Sequence, residues 1–196
     1  SIYRGSFLSL KAGQYVFKSS LNLFQIMEKI EKGDAVFGSN ESVITVPEGL
    51  TLIGIAQKLE KEGFKNADDI VKIKASSFVS EFSWIRFSDP KHNTLEGFLF
   101  PDTYRFSKDA GLEEIIERML KRFEEKTLSL RQEAAAEGKN FYDILILGSI
   151  LEKEVPAADM PLASGVLWNR LNLGMPLQAD ATLVYDLGRP IRRSDT

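Results

Sequence analysis

Apolar residues recur every three or four positions in several stretches of this chain, and cluster over shorter runs bounded by turn residues in others. Residues 10–17 read as a turn at Gly13 entering a short strand at Tyr15, Val16 and Phe17. Over residues 21–31, Leu23, Phe24, Met27 and Ile30 share one helical face, with Ser19 or Ser20 as cap and Gly33 as stop. Val43, Ile44, Thr45 and Val46 read as a strand leading into a Pro47-Glu48-Gly49 turn. Thr51 caps the next helix, whose buried stripe is Leu52, Ile55 and Leu59 and whose stop is Gly63. Residues 67–74 begin like a capped helix. Val79, Phe82, Trp84, Ile85 and Phe87 then supply a dense aromatic group, better suited to a core than to stacking on sugar rings.

The longest helical pattern covers residues 112–137: Ile115, Ile116, Met119, Leu120 and Phe123 form its stripe, Glu117 and Lys121 an i,i+4 pair, and Gly138 its end. A further helix starts at Phe141 and is stopped near Val155 by Pro156. Asp159 is placed to cap another, with Pro161 in its first turn, Leu162, Val166, Asn169 and Leu173 on one side, and Gly174 at C′. Residues 175–182 are polar, contain Pro176, and read as irregular. The fold class is therefore α+β.

Composition narrows the function. The 196 residues are 43% hydrophobic and 27% charged, enough to bury a core. A net charge of −3 gives no basic surface for nucleic acid or anionic lipid. Without cysteine there is no disulfide, thiolate metal site or cysteine nucleophile. His92 is the only histidine, which leaves a transition-metal site or a histidine-based triad without ligands, and it reads as a loop residue. No apolar run reaches the roughly 18 residues of a membrane helix.

The chemistry gathers in residues 143–185. At helical spacing Leu145, Gly148, Ser149 and Glu152 fall on one face, so Glu152 continues a small and apolar stripe where the helix leaves the core. A carboxyl half withdrawn from water there has a raised pKa and suits a general acid; the plainer alternative is a charged cluster at a helix end. Asn169, Arg170, Gln178, Asp180, Thr182 and Tyr185 follow, a supply of hydrogen-bonding groups of the kind carbohydrate sites use. Earlier, residues 95–106 alternate imperfectly around Gly97 and Pro101, which fits a loop or strand edge rather than a central strand. Such an edge projects Glu96, Asp102 and Tyr104 toward a cleft, although Asp102 serves equally as a backbone cap.

Two blocks carry a family resemblance. SILEKE with ASGVLWNRLNLGMPLQADATLVYDLG, and the earlier LEGFLFPDTYRF, together resemble the YceG-like endolytic murein transglycosylases, in the family's order and spacing. The resemblance implies that Glu152 is the catalytic acid/base. It matches Glu96, Asp102, Tyr104, Asn169, Gln178, Asp180 and Thr182 to polar motif positions, and Tyr185 joins the glycan-binding candidates. Val155 replaces a usual Thr and Ala181 a usual Pro. Residues 41–88 resemble a LysM-like module. The divisions that the resemblance implies are an α+β segment over residues 1–40, a small α/β lobe over 41–88, and a mainly helical, mixed catalytic lobe over 89–196. The implied activity is non-hydrolytic cleavage of peptidoglycan glycan strands to a 1,6-anhydro end, with no cofactor and no metal. The implied setting is the outer face of the bacterial cell membrane, beside peptidoglycan synthases, with an N-terminal anchor upstream and the catalytic domain continuing past Thr196. Two alternatives stay open: a two-carboxyl muramidase using Glu96 or Asp180, and a silent peptidoglycan-binding module. A pyridoxal-phosphate lyase lacks a lysine in a matching context.

Overall fold

The computed structural model describes residues 15, 17, 19–32, 41–86 and 93–188. Gly13, Val16, Gly33, Phe87 and His92 lie outside the described residues, and with them the expected first strand; Tyr15 and Phe17, on either side of Val16, are not in strand. The elements are α1 (Leu23–Lys32), β1 (Glu41–Thr45), α2 (Leu52–Lys61), two short 3-10 turns, β2 (Thr103–Ser107), α3 (Leu112–Ala136), α4 (Phe141–Glu154), α5 (Met160–Asn172) and α6 (Asp180–Leu187). The α+β class holds: mostly helix, with one small antiparallel sheet.

That sheet joins residues far apart in the chain. Ile44 faces Tyr104 and Val43 faces Arg105 across the β1–β2 ladder. Ile44, Val46, Tyr104 and Phe106 point inward at alternate positions, as the two-residue period of a strand requires. The ladder starts only at Thr103, past Pro101, and Val46 N–H still reaches Asp102 O at 2.9 Å.

One hydrophobic core follows from this pairing. It unites Leu52, Ile55 and Leu59 of α2 with Ile115, Ile116, Met119, Leu120 and Phe123 of α3, both stripes as read from the periodicity. Trp84 belongs to it: its ring stacks on Phe123 at 4.9 Å between centroids, with the Arg131 guanidinium 5.2 Å from its own centroid. This aromatic group is core, not a platform for sugar.

Several local expectations are corrected. Asn22, not Ser19 or Ser20, caps α1: Gln25 N–H reaches Asn22 Oδ1 at 2.9 Å, and Asn22 N–H reaches Gln25 Oε1 at 3.0 Å. This reciprocal capping box begins the helix at Leu23, so Leu23 and Phe24 stay exposed and Ile26, Met27 and Ile30 turn inward. On α3, Arg118 pairs with Glu114 at 3.7 Å, and the expected Glu117–Lys121 pair does not form among the described residues. On α5, the side shared by Leu162, Val166 and Leu173 is exposed. The α5 terminus is as expected: Gly174 has φ 65°, and Gly174 and Met175 donate to Leu171 O and Arg170 O, a Schellman end. The irregular stretch stops at Ala179, because residues 180–187 form α6.

Candidate active site

α4 carries the main candidate, and its burial differs from the expected face. Leu147, Ile150 and Leu151 are buried, whereas Gly148, Ser149 and Glu152 are exposed. Residues 144–151 are apolar or small at nearly every position, so helical periodicity does not select a face. Glu152 is therefore not a carboxyl half withdrawn into the core: it stands exposed at the open end of the helix.

What surrounds that end is specific. Gly49, in the turn between β1 and α2, has φ +72°, a conformation that only glycine adopts without strain. A Cβ there would lie 2.9 Å from Lys153 Nζ and 3.3 Å from Glu152 Oε1. Lys153 Nζ donates to Gly49 O at 3.0 Å. Glu154 Oε1 accepts from Ala181 N–H at 2.6 Å, satisfying one of the unpaired donors at the start of α6. All three residues of the Glu152-Lys153-Glu154 run thus have structural neighbours: Gly49 beside the first, the turn carbonyl bonded to the second, and α6 bonded to the third.

The half-buried carboxyl is Glu96. Both its oxygens accept from Leu52 N–H, at 2.9 and 3.1 Å, so it caps α2 beside Thr51, whose Oγ1 accepts from Gly54 N–H at 3.2 Å. Burial pushes the Glu96 carboxyl above its ordinary range, opposed by the Leu52 N–H and by the Tyr185 hydroxyl, which faces it from α6. Burial likewise raises the Tyr185 phenol, with the Glu96 charge adding to the effect. Tyr142, on α4, is raised by burial, then by Asp143 and Glu96.

The other candidates separate. The Asp102 carboxyl accepts from Thr103 N–H at 2.7 Å and from Arg122 Nε of α3 at 2.6 Å, contacts that hold it below the usual carboxylate range. Tyr104 is buried in the core and its hydroxyl donates to Phe100 O at 2.5 Å. Gln178 adopts φ 55° and accepts from Arg170 Nη1 at 3.1 Å, while the same Arg170 nitrogen reaches Leu177 O at 2.7 Å. Thr182 Oγ1 donates to Ala179 O at 2.7 Å. Asp180 opens α6 and Asn169 lies on α5, both exposed. The structure therefore places Glu152 beside Gly49 and Glu96, faced by Tyr185, on the Leu52 amide of the same turn, with the Gln178–Thr182 segment tied to α4 through Glu154. It gives Asp102 and Tyr104 structural partners. Among the described residues no cluster of His, Cys, Asp and Glu is arranged to hold a metal ion.

Residues 3–196 match the YceG-like family. The chain belongs to that family. Among its YceG-like relatives, the endolytic murein transglycosylase of Streptococcus pneumoniae strain R6 is 30% identical over 94% of this chain and 37% of its own length. The endolytic murein transglycosylase of Bacillus subtilis strain 168 is 30% identical over 95% of this chain and 54% of its own. The chain thus spans about a third to a half of these relatives. A solved yceG-like protein from Listeria monocytogenes matches with a TM-score of 0.69 at 28% identity, covering 95% of this chain and 65% of that one. The sequence marks Gly49 only as a turn residue, and Lys153 and Glu154 only as charged neighbours of Glu152; the close approach of Gly49 to α4 is a tertiary fact.

Proposed function

We propose that this chain carries the glycan-cleaving site of a peptidoglycan lytic transglycosylase, with Glu152 as its single acid/base. The supporting observation is the placement of Glu152, open to an incoming polymer, beside Gly49 and just before two tethered residues, Lys153 and Glu154. Glu152 protonates the glycosidic oxygen linking N-acetylmuramic acid to N-acetylglucosamine as the C1–O bond breaks. The C6 hydroxyl of the same muramic acid residue attacks C1, and its proton passes to the Glu152 carboxylate. A C1–O6 bond replaces the broken one, no water is consumed, and the acid is restored.

In this reading Tyr185, Asn169, Gln178, Asp180 and Thr182 form the glycan-facing surface, and Asp102 and Tyr104 support the scaffold. Residues 41–88 act as an accessory LysM-like lobe and residues 89–196 as the catalytic part. The protein works outside the cytoplasm on nascent strands in cell wall biogenesis, beside peptidoglycan synthases and anchored through an upstream segment. No helix among the described residues is long and apolar enough to cross a membrane.

The test is product mass. The full-length protein incubated with purified murein is expected to release 1,6-anhydro ends, and Glu152→Gln to lower that release by about 10²–10⁴-fold, the usual worth of a positioned proton-transfer group. Parental rates from Glu152→Gln overturn the reading. One observation favours a second reading, a two-carboxyl muramidase: Glu96 is the carboxyl that burial raises. Its products carry a reducing end, one water heavier than the anhydro form.

A further inference from the structure

We propose that Glu96 is a positioning residue that fixes Glu152 by locking together the two turns on which α4 rests. The inference rests on the acid/base reading of Glu152 and adds to it the device that holds that group in register.

Two glycines mark where α4 touches those turns. Gly97, φ +80°, approaches Leu145 so closely that a Cβ would lie 3.4 Å from Leu145 Cδ2. Gly49, φ +72°, approaches Glu152 and Lys153. Leu145 and Glu152 are two helical turns apart, about 10.5 Å along the axis, so α4 is seated at two points rather than one. The outer ends of the two stretches are tied by the β1–β2 ladder and by Val46 N–H on Asp102 O. Nearer the glycines they are joined by Glu96, the residue before Gly97, whose carboxyl grips the Leu52 N–H three residues after Gly49.

The grip has no substitute. As the first residue of α2, Leu52 has an N–H without an intrahelical acceptor, and among the described residues it donates to Glu96 alone. Thr51 caps Gly54 instead and leaves Leu52 untouched. Removing the carboxyl frees the Gly49–Leu52 turn to shift relative to the turn at Gly97, and the surface against which Glu152 lies shifts with it. Tyr185 faces the same carboxyl, so the lock also reaches α6.

Positioning and proton transfer are separated by the amide. Gln at this position keeps an oxygen to accept from Leu52 N–H and a group to pair with Tyr185, but it exchanges no proton. The experiment compares Glu96→Gln, Glu96→Ala and Glu152→Gln in the full-length protein on purified murein, reading kcat, KM and the exchange rate of the Leu52 amide. The expected result is that Glu96→Gln stays within a few-fold of parental kcat. Glu96→Ala is expected to lose about 10²-fold in kcat with KM little changed, the scale of a small misplacement of a reacting group. The Leu52 amide is expected to stay protected in Glu96→Gln and to exchange freely in Glu96→Ala. Parental kcat in Glu96→Ala overturns the proposal. So does a Glu96→Gln protein as inactive as Glu152→Gln, which makes Glu96 a proton carrier and leaves the transglycosylase reading standing. Should Glu96→Ala not fold, Glu96→Gln decides alone: loss of kcat with Leu52 still protected refutes positioning. Full activity in Glu152→Gln removes the acid/base reading itself, and the positioning role falls with it.

Discussion

Glu96 is pulled two ways. Burial disfavours its charge, and the amide at the start of α2 favours it; burial is the larger influence, so the carboxyl holds its proton to a higher pH than in the unfolded chain. The sign follows from linkage: the folded state binds the extra proton between the ordinary value of 4.5 and the raised one. Its contribution to stability is fully present below the unfolded value and is lost as pH rises through the folded one. Urea unfolding midpoints across this window are expected to fall with rising pH more steeply in the parent than in Glu96→Gln. Gly49 makes a second prediction. Gly49→Ala places a side chain in the left-handed region, at a cost of roughly 1–2 kcal/mol, and drives a methyl against Lys153 and Glu152. A thermal melt is expected to show a midpoint lower by several degrees, and the product assay a loss of activity greater than that destabilisation explains. At this scale the sequence was informative about identity and silent about environment. Two signature blocks name Glu152 and Glu96, yet the exposure of Glu152 depends on the face α4 turns inward, which an almost uniformly apolar run does not encode, and the half-burial of Glu96 goes with its tertiary seat on the start of α2.

Capping chemistry was the most legible feature of the elements. Thr51 at α2 and Gly174 at α5 do what their residue types dictate, because an N-cap hydroxyl and a C′ glycine answer to local backbone alone. The stripes on α2 and α3 were equally readable, since their polar faces leave one side for the core. α6 was not. Its first turn holds Asp180 and follows a proline-containing loop, and its N-terminus is completed from outside by Glu154 of α4, a residue 27 positions earlier. A helix whose cap arrives from another element leaves little trace in its own sequence. Glu154→Ala is accordingly expected to quicken amide exchange over residues 180–187 while leaving α2 and α3 protected, as read by hydrogen-exchange mass spectrometry. Glu154→Gln, which keeps an acceptor oxygen, is expected to restore much of the protection.

At the level of the whole molecule, the β1–β2 ladder decides how the parts depend on each other. It pairs residues 41–45 with 103–107, and the core continues from Ile44 through Ile85 to Leu95 and Phe123 without a break at the division expected near residue 88. Burial is thus shared between the two stretches. Residues 89–196 expressed alone therefore lose the partner of β2 and the apolar side chains of α2 that belong to the same core. They are expected to give poorly dispersed amide spectra and no cooperative melt, while residues 41–196 give both.

The Trp84 indole is enclosed by Phe82, Phe98 and Phe123, and its buried Nε1 has no hydrogen-bond partner. An indole shielded in this way emits at short wavelength, so the protein contains its own lamp, set where residues from either side of the expected division meet. Replacing Trp168, the second tryptophan, on α5, with Phe would leave a single emitter that reports core opening and ignores events in the distal helices. Polymer docking and global unfolding would then register as separate optical signals.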